Sequence, residues 1–398
     1  MGGTREPGGV HIHTSDVAQA ASDLGCQVTI ASITIDFFSS LLASGRIPVE
    51  VVDRLCIERQ IDRPWRTAPR RYQAWIQLMG RHRGSDVVLV DGAFAQTPVS
   101  ELILARLAAR RLYTIEHSPG LPRRESRPMQ RLYGAVMGLA VHRAIVVSQG
   151  VRDMAVAMFG VPANRIAVCN NWVGPAFRPP SPSERAAARA RLELPEAAIA
   201  IGYVGRLSGD KRGETLLSAF AEALSGAPRQ ARLIMAGDGW KADEWRDLAR
   251  SLGIAKRVLF TGWLSDTAVA YAALDAFVLP SLAEGFPLGV MEAMASGVPC
   301  MVHPMAGTLA LVEDGVTGFL QDMTSPSQLA LGLRMLMAAP PALLRSMGTA
   351  AATHIARHQS REVRLPAVLE ALDIPLAGRA LPPAIPRALR FRPWDAVP

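Results

Sequence analysis

The stretch AFVLPSLAEGFPLGVMEAMASGVP, Ala276 to Pro299, decides the fold. A short apolar run rich in strand formers breaks at Pro280-Ser281, and a helical pattern follows until Ser296-Gly297 releases the chain into another apolar run at Pro299. Strand, helix and strand in such close succession are the mark of a parallel sheet crossed over by helices. Pro287 suits the first position of the helix, because its missing N–H is not needed there. The amides of Leu288, Gly289 and Val290 then point out of a helix N-terminus, where free donors and the helix dipole favour an anion such as phosphate. Glu284 precedes that terminus and Glu292 lies more than a turn inside it. A carboxylate accepts two hydroxyl protons at once, so the pair suits vicinal diols on either side of an anion.

A second stretch, VGRLSGDKRGETLLSAF, Val204 to Phe220, leaves another apolar run through Gly205 and places Arg206 and Lys211 around a loop that enters a helix. Arginine offers a planar fork of donors and lysine a point charge, two complementary ways of neutralising a diphosphate. The chain holds only three lysines, Lys211, Lys241 and Lys256, against 40 arginines, so lysine at 211 departs from a chain-wide preference.

Outward from these segments the same alternation continues. Candidate strands in the first half are Gln27–Ile33, Pro48–Val52, Asp86–Val90, Leu112–Glu116, Ala144–Val147 and Ile166–Cys169. In the second half they are Ala198–Val204, Arg232–Ala236, Val258–Thr261, Ala276–Leu279, Pro299–His303 and Gly318–Gln321. The class is α/β, and 398 residues predict two doubly wound domains facing a central cleft, with ligands beyond the carboxyl ends of the strands. Residues 1–173 read as the first domain, 174–197 as a Pro- and Ser-rich linker, and 198–360 as the second domain. A C-terminal helix over 361–372 and a loose Pro- and Arg-rich tail over 373–398 complete the chain.

Strand–GRLxxxK–helix, LIMAGDG, FTGWL, VLPSLAEGFPLGVMEAMASGVP and EDGVTGFL, in this order, resemble the nucleotide-sugar-binding domain of the retaining GT-B glycosyltransferases of family 4. The resemblance extends more thinly to the N-terminal half, so that it spans about residues 8 to 370. It implies that Glu292 holds the donor ribose and Glu284 the transferred sugar, with Arg206 and Lys211 on the diphosphate. Leu288, Gly289, Val290, Gly205, Gly307 and Thr308 join the donor-binding set. In the N-terminal half the Gly9 amide approaches the distal phosphate, His117 of YTIEHSP stands beside the donor sugar, and Asn171 takes the position of the family's NG turn. Arg212 departs from the family's Gly after the lysine. Ala306-Gly307-Thr308-Leu309-Ala310 departs from its Gly-Gly-acid pattern.

The resemblance implies transfer of a hexose to a lipid-linked or polysaccharide-precursor acceptor, with no metal or other cofactor, since Arg206, Lys211 and helix amides do the neutralising. The alternatives are a GT-B sugar-nucleotide epimerase and a degenerate donor-binding protein without catalysis. GDGWKA, Gly237 to Ala242, matches a dinucleotide fingerprint, but VLFTGW ends without the acid that would bind a ribose, so a nicotinamide dinucleotide is not expected.

Net charge is +8, of which +6 falls within the first 172 residues. Arginines interleave with aromatics from Arg63 to Arg83, including Trp65 and Trp75, and recur from Arg123 to Arg131. Such a face predicts an anionic membrane surface as a partner, with the tryptophans at the interface; no nucleic acid is expected. No apolar run is long enough to span a bilayer, and MGGTREPGG lacks the apolar core of a secretory signal, so the reading is a cytoplasmic protein, peripheral on the inner face of the cell membrane. Cys26, Cys56, Cys169 and Cys300 fit no disulfide or zinc spacing and read as reduced thiols. Only MGGTREP precedes Gly8-Gly9, so a central strand of the first sheet is expected upstream of Met1 or is missing.

Overall fold

The computed structural model describes residues 9–32, 47–51, 64–91, 97–118, 127–225, 230–376 and 381. They form two compact units. One is Trp172–Val363, and the other comprises the described residues of Arg5–Asn171 and Arg364–Pro398. Each is α/β, and every ladder between its strands is parallel. All twelve strands of the described residues lie within the runs read from the sequence, give or take one residue at some ends.

In the N-terminal unit, β1 (Ile30–Ser32) pairs with β2 (Val49–Val51). A separate sheet runs β3 (Val87–Asp91), β4 (Leu112–Glu116), β5 (Arg143–Val146) and β6 (Ile166–Val168) in that order. No described strand joins the two sheets, and the residues before Gly9, on which the expectation of a missing strand rests, lie outside the described residues. β4, flanked on both edges, is buried along its whole length, whereas β3 is partly exposed throughout.

The α-helices among the described residues of this unit before the division are α1 (Gly9–Asp23), α2 (Pro64–Arg81), α3 (Val99–Ala108), α4 (Arg127–Ala140) and α5 (Gln149–Met154). α2 buries Ala74, Trp75, Leu78 and Met79, one helical face, against the unit. Trp75 is therefore a core residue and not the interfacial anchor that the Arg-rich sequence suggests: its spacing to Leu78 and Met79 puts it on the apolar stripe. The Trp65 side chain and Arg63 lie outside the described residues.

The C-terminal unit contains α6 (Pro182–Arg191), β7 (Ile199–Val204), α7 (Gly213–Leu224), β8 (Ala231–Ala236), α8 (Ala242–Ser251), β9 (Val258–Gly262) and α9 (Ala268–Ala273). These are followed by β10 (Ala276–Leu279), α10 (Leu288–Ala295), β11 (Cys300–Val302), α11 (Ala306–Leu309), β12 (Gly318–Leu320), α12 (Pro326–Ala338) and α13 (Pro341–His358). α14 (Arg361–Ala371) spans the division between the units. The sheet order is β9-β8-β7-β10-β11-β12, the doubly wound arrangement, with its reversal between β7 and β10. Both of those strands are buried at every residue, as a central parallel strand covered by helices on each face requires.

Two segments that read as irregular are ordered. Within 174–197, α6 starts at a capping box: the Ser181 hydroxyl accepts from the Glu184 amide at 3.2 Å, and the Glu184 carboxylate accepts from the Ser181 amide at 2.7 Å. Arg185 and Arg189 of this helix then hold Asp275 and the carbonyls of Ala272, Ala273 and Leu274. At the head of the supposed tail, the Asp373 carboxylate accepts hydrogen bonds from the Tyr113 hydroxyl at 2.8 Å, Arg111 at 2.7 Å and Arg143 at 3.3 Å. Residues 377–380 and 382–398 lie outside the described residues. Cys169 and Cys300 are buried thiols and Cys26 an exposed one; Cys56 lies outside the described residues.

Candidate active site

The reversal of strand order fixes where the site of the C-terminal unit lies, because crossovers from β7 and β10 leave in opposite directions and open a crevice beyond their carboxyl ends. Gly205 and Arg206 follow β7 directly, and a short 3-10 turn, Gly209–Lys211, leads to α7. Pro280 to Pro287 follow β10 and lead to α10. The structure brings the two segments together: the Lys211 ammonium donates to Glu284 Oε1 at 2.6 Å, with both side chains mostly buried. Asp210 stands 3.6 Å from the same ammonium. Burial pushes the Asp210 carboxyl up, but the Ser208 hydrogen bond and the charges of Lys211 and Arg206 outweigh it and hold the group below its ordinary range. Arg206 itself is exposed, and its carbonyl accepts from the buried Tyr203 hydroxyl at 2.7 Å.

Helix α10 begins at Leu288, one residue later than the Pro287 start read from the sequence. Pro287 takes an extended backbone and caps the helix from outside. Leu288, Gly289 and Val290 are its first three residues, whose amides have no carbonyl one turn back within the helix. Glu292 follows one turn on, and its Oε2 accepts from the Tyr271 hydroxyl at 3.0 Å. Tyr271 was not legible as a site residue, since α9 reads only as a short apolar segment. Gly307, at the start of α11, sits so close to the Glu284–Gly285 backbone that a Cβ would fall 2.5 Å from the Gly285 carbonyl oxygen. Thr308 is fully buried, and its hydroxyl donates to the His303 carbonyl at 2.6 Å. Its role here is to hold the turn before α11 together.

Gly237 of the dinucleotide-like GDGWKA has a purpose of its own: a Cβ there would lie 2.0 Å from the Gly205 carbonyl oxygen. The glycine lets the exit of β8 pass against the exit of β7 and supports the Arg206 loop from behind. Arg212, the departure from the family's glycine, adopts the left-handed backbone that glycine favours, with φ 52° and ψ 40°. Its guanidinium compensates by donating to the carbonyls of Met323 at 2.6 Å, Thr324 at 3.0 Å and Pro280 at 3.3 Å. The arginine thus ties the lysine loop to the end of β10 and to residues 323–324.

In the N-terminal unit, Gly9 opens α1 and His117 directly follows β4. His13 of α1 stacks edge-on against His117, ring centroids 5.9 Å apart, and His117 hydrogen-bonds Asn171. Burial, with the charge of His13, pushes the His117 imidazole down to about 3, against the opposing hydrogen bond from Asn171. The ring is accordingly neutral at physiological pH. Glu116, one residue earlier, is fully buried, and burial together with the cross-strand Asp91 pushes its carboxyl well up. His13 and Glu116 were not singled out in the sequence; H-x-H after PGG was the available signal for the first. Among the described residues no group of His, Cys, Asp and Glu is arranged to hold a metal ion.

Comparison with known proteins places both halves of the chain. Residues 184–354 match the family described as Glycosyl transferases group 1, and residues 7–177 match Glycosyltransferase Family 4. A D-inositol 3-phosphate glycosyltransferase of Segniliparus rotundus is 33% identical over 216 residues, 52% of this chain and 47% of that protein. One from Streptomyces griseus is 36% identical over 184 residues, 44% of this chain and 39% of that protein. The chain spans about half the length of these curated relatives or less. Anabaena Alr3699/HepE, solved in complex with UDP-glucose, superposes with a TM-score of 0.76 at 22% identity, covering 94% of this chain and 98% of that one. A glycosyltransferase from Rickettsia africae gives a TM-score of 0.73 at 17% identity over 92% and 94%.

Two outcomes follow from this geometry. Replacing Arg212 by Gly relieves a left-handed strain of roughly 1 kcal/mol but removes three charge-assisted hydrogen bonds. Thermal unfolding should therefore show a net destabilisation of about 1–3 kcal/mol; a rise in Tm would mean that the strain dominates. For His117, the unfolded ring takes up a proton near its ordinary value of 6.5 and the folded ring only near 3. The unfolded state binds more protons between those values, so stability is lost as pH falls through that window. In His117→Gln the slope of unfolding free energy from about pH 6 to 4 should flatten by up to about 1.4 kcal/mol per pH unit, and an unchanged slope in urea titrations would place the titration elsewhere.

Proposed function

The chain belongs to the family 4 glycosyltransferases, with the GT-B fold, and from that premise we propose that it is a retaining hexosyltransferase that uses a nucleotide diphosphate sugar. The observation that carries this reading is the convergence of Lys211, Glu284 and the first amides of α10 at the β7/β10 reversal. A cation, a row of free amides and two carboxylates suit the three parts of such a donor in turn.

In this reading the diphosphate lies over the amides of Leu288, Gly289 and Val290 and against Lys211 and Arg206. Gly205, Gly307 and Thr308 shape the backbone around it. Glu292, steadied by Tyr271, binds the ribose diol, and Glu284 binds hydroxyls of the hexose. When the anomeric C–O bond breaks, its electron pair passes to the diphosphate oxygen, where the two cations and the helix terminus stabilise the new charge. The acceptor hydroxyl bonds to the anomeric carbon on the face the diphosphate leaves, and its proton goes with the departing diphosphate. In the N-terminal unit the neutral His117 at the end of β4 is a hydrogen-bonding group suited to a sugar hydroxyl, and Gly9 opens α1. Since HepE was solved with UDP and with UDP-glucose, a uridine diphosphate hexose is the first donor to test. The acceptor is a lipid-linked or polysaccharide-precursor saccharide, in keeping with the Arg-rich N-terminal unit.

Lys211→Ala should lower kcat about 10²-fold or more with little change in folding stability, because its charge is needed most as the diphosphate departs. Near-normal kcat would remove Lys211 from the site. Glu292→Ala should weaken UDP binding in calorimetry by about 1.5–3 kcal/mol, the worth of hydrogen bonds to a charged group. Unchanged affinity would put the ribose elsewhere.

A further inference from the structure

Helix α4 carries two apolar stripes. One, Tyr133, Gly134, Met137 and Ala140, is buried, with Tyr133 edge-on to Phe159. The other, Met129, Leu132 and Leu139, is exposed, and Leu139 is 85% accessible. Beside it, α3 buries Leu102 and Ala105 but presents Ile103 and Leu107, the latter 75% accessible, and α2 packs along α3 with Ile76 exposed. A surface helix needs one apolar face, and a second, unburied one marks a surface meant for an apolar partner.

Among the described residues, the exposed charges of these three helices have one sign. Neither α2 nor α4 contains an acidic residue, and the single acid of α3, Glu101, is buried. Arg81, Arg106, Arg127 and Arg131 are exposed on the same three helices. Where α3 and α4 end, a recess is lined by Arg106, Arg110, Arg111, Leu139, His142 and Arg165. Asp86 and Asp373 are ion-paired with Arg110, Arg111 and Arg143, so among the described residues Arg106 and Arg165 carry the recess's uncompensated charge. A second copy docked face to face would set arginine against arginine. An anionic leaflet instead offers acyl chains to the leucines and phosphates to the guanidiniums.

We propose that the outer face of α3 and α4 is a membrane-docking surface for anionic phospholipid, with Leu107 and Leu139 entering the acyl boundary and the arginine recess taking a headgroup phosphate. This deepens the reading of a lipid-linked acceptor and rests on it for its purpose, though its test is independent of turnover.

The test is sedimentation of the full chain with phosphatidylcholine vesicles, with and without phosphatidylglycerol, alongside calorimetric UDP binding. Binding should require phosphatidylglycerol and weaken in high salt. Leu107→Gln with Leu139→Gln should reduce it at least about tenfold, since burial of one leucine is already worth about that factor. Arg106→Gln with Arg131→Gln should reduce it and blunt its salt dependence. Both pairs should keep the parent's melting curve and UDP affinity. Equal binding to neutral vesicles, no binding by the parent, or an unaffected leucine variant would overturn the proposal. So would a dimer in sedimentation velocity that the leucine changes dissolve, which would assign the face to a second copy. Vesicle binding without UDP binding would leave the docking surface standing and count against the donor reading alone.

Discussion

Two buried strands, β7 and β10, lie side by side at the reversal of the C-terminal sheet, and the rest of that unit's chemistry follows from their pairing. Right-handed crossovers carry the chain away from them in opposite directions, so nothing of either crossover covers their carboxyl ends. Lys211 arrives from one strand and Glu284 from the other, and the 2.6 Å ion pair between them locks the two exits. Supporting pieces serve the same junction. Arg212 spans from the lysine loop to the end of β10, Gly237 lets the β8 exit approach Gly205, and Gly307 lets α11 approach Glu284.

The N-terminal unit solves a different problem at the end of β4. Glu116 and the half-buried His117 are consecutive and each shifted toward its neutral form, the first by burial and Asp91, the second by burial and His13. Neutral groups in such a setting donate and accept hydrogen bonds without carrying an uncompensated charge out of water. Most of the chain's net positive charge falls in the first 172 residues, and the described outer helices of this unit add exposed leucines.

What could be read in the sequence follows the strength of the local signal. Buried parallel strands are continuous apolar runs, so IAIGYV and AFVL are unmistakable, and the loops after them carry the charged residues that mark the site. Tertiary partners are harder to see. Nothing near Tyr271 reveals that its hydroxyl reaches Glu292, and nothing beside Arg212 announces a left-handed backbone with three distant carbonyls. The capping box Ser181-x-x-Glu184 was legible and was masked by the surrounding prolines. Asp373 looked like the start of a tail because its partners, Tyr113, Arg111 and Arg143, are far away in the chain. Trp75 shows the opposite error, in which composition suggested a surface while helical spacing already placed the ring inside.

The most direct test of this account is a crystal structure with an intact or non-hydrolysable nucleotide diphosphate hexose bound. The account predicts the diphosphate over the amides of Leu288 to Val290, with the Lys211 ammonium turned from Glu284 toward a phosphate oxygen, Glu284 on hexose hydroxyls and Glu292 on the ribose. A nucleotide bound away from the β7/β10 reversal, or bound there with the Lys211–Glu284 pair unchanged and no cation on the diphosphate, would contradict it.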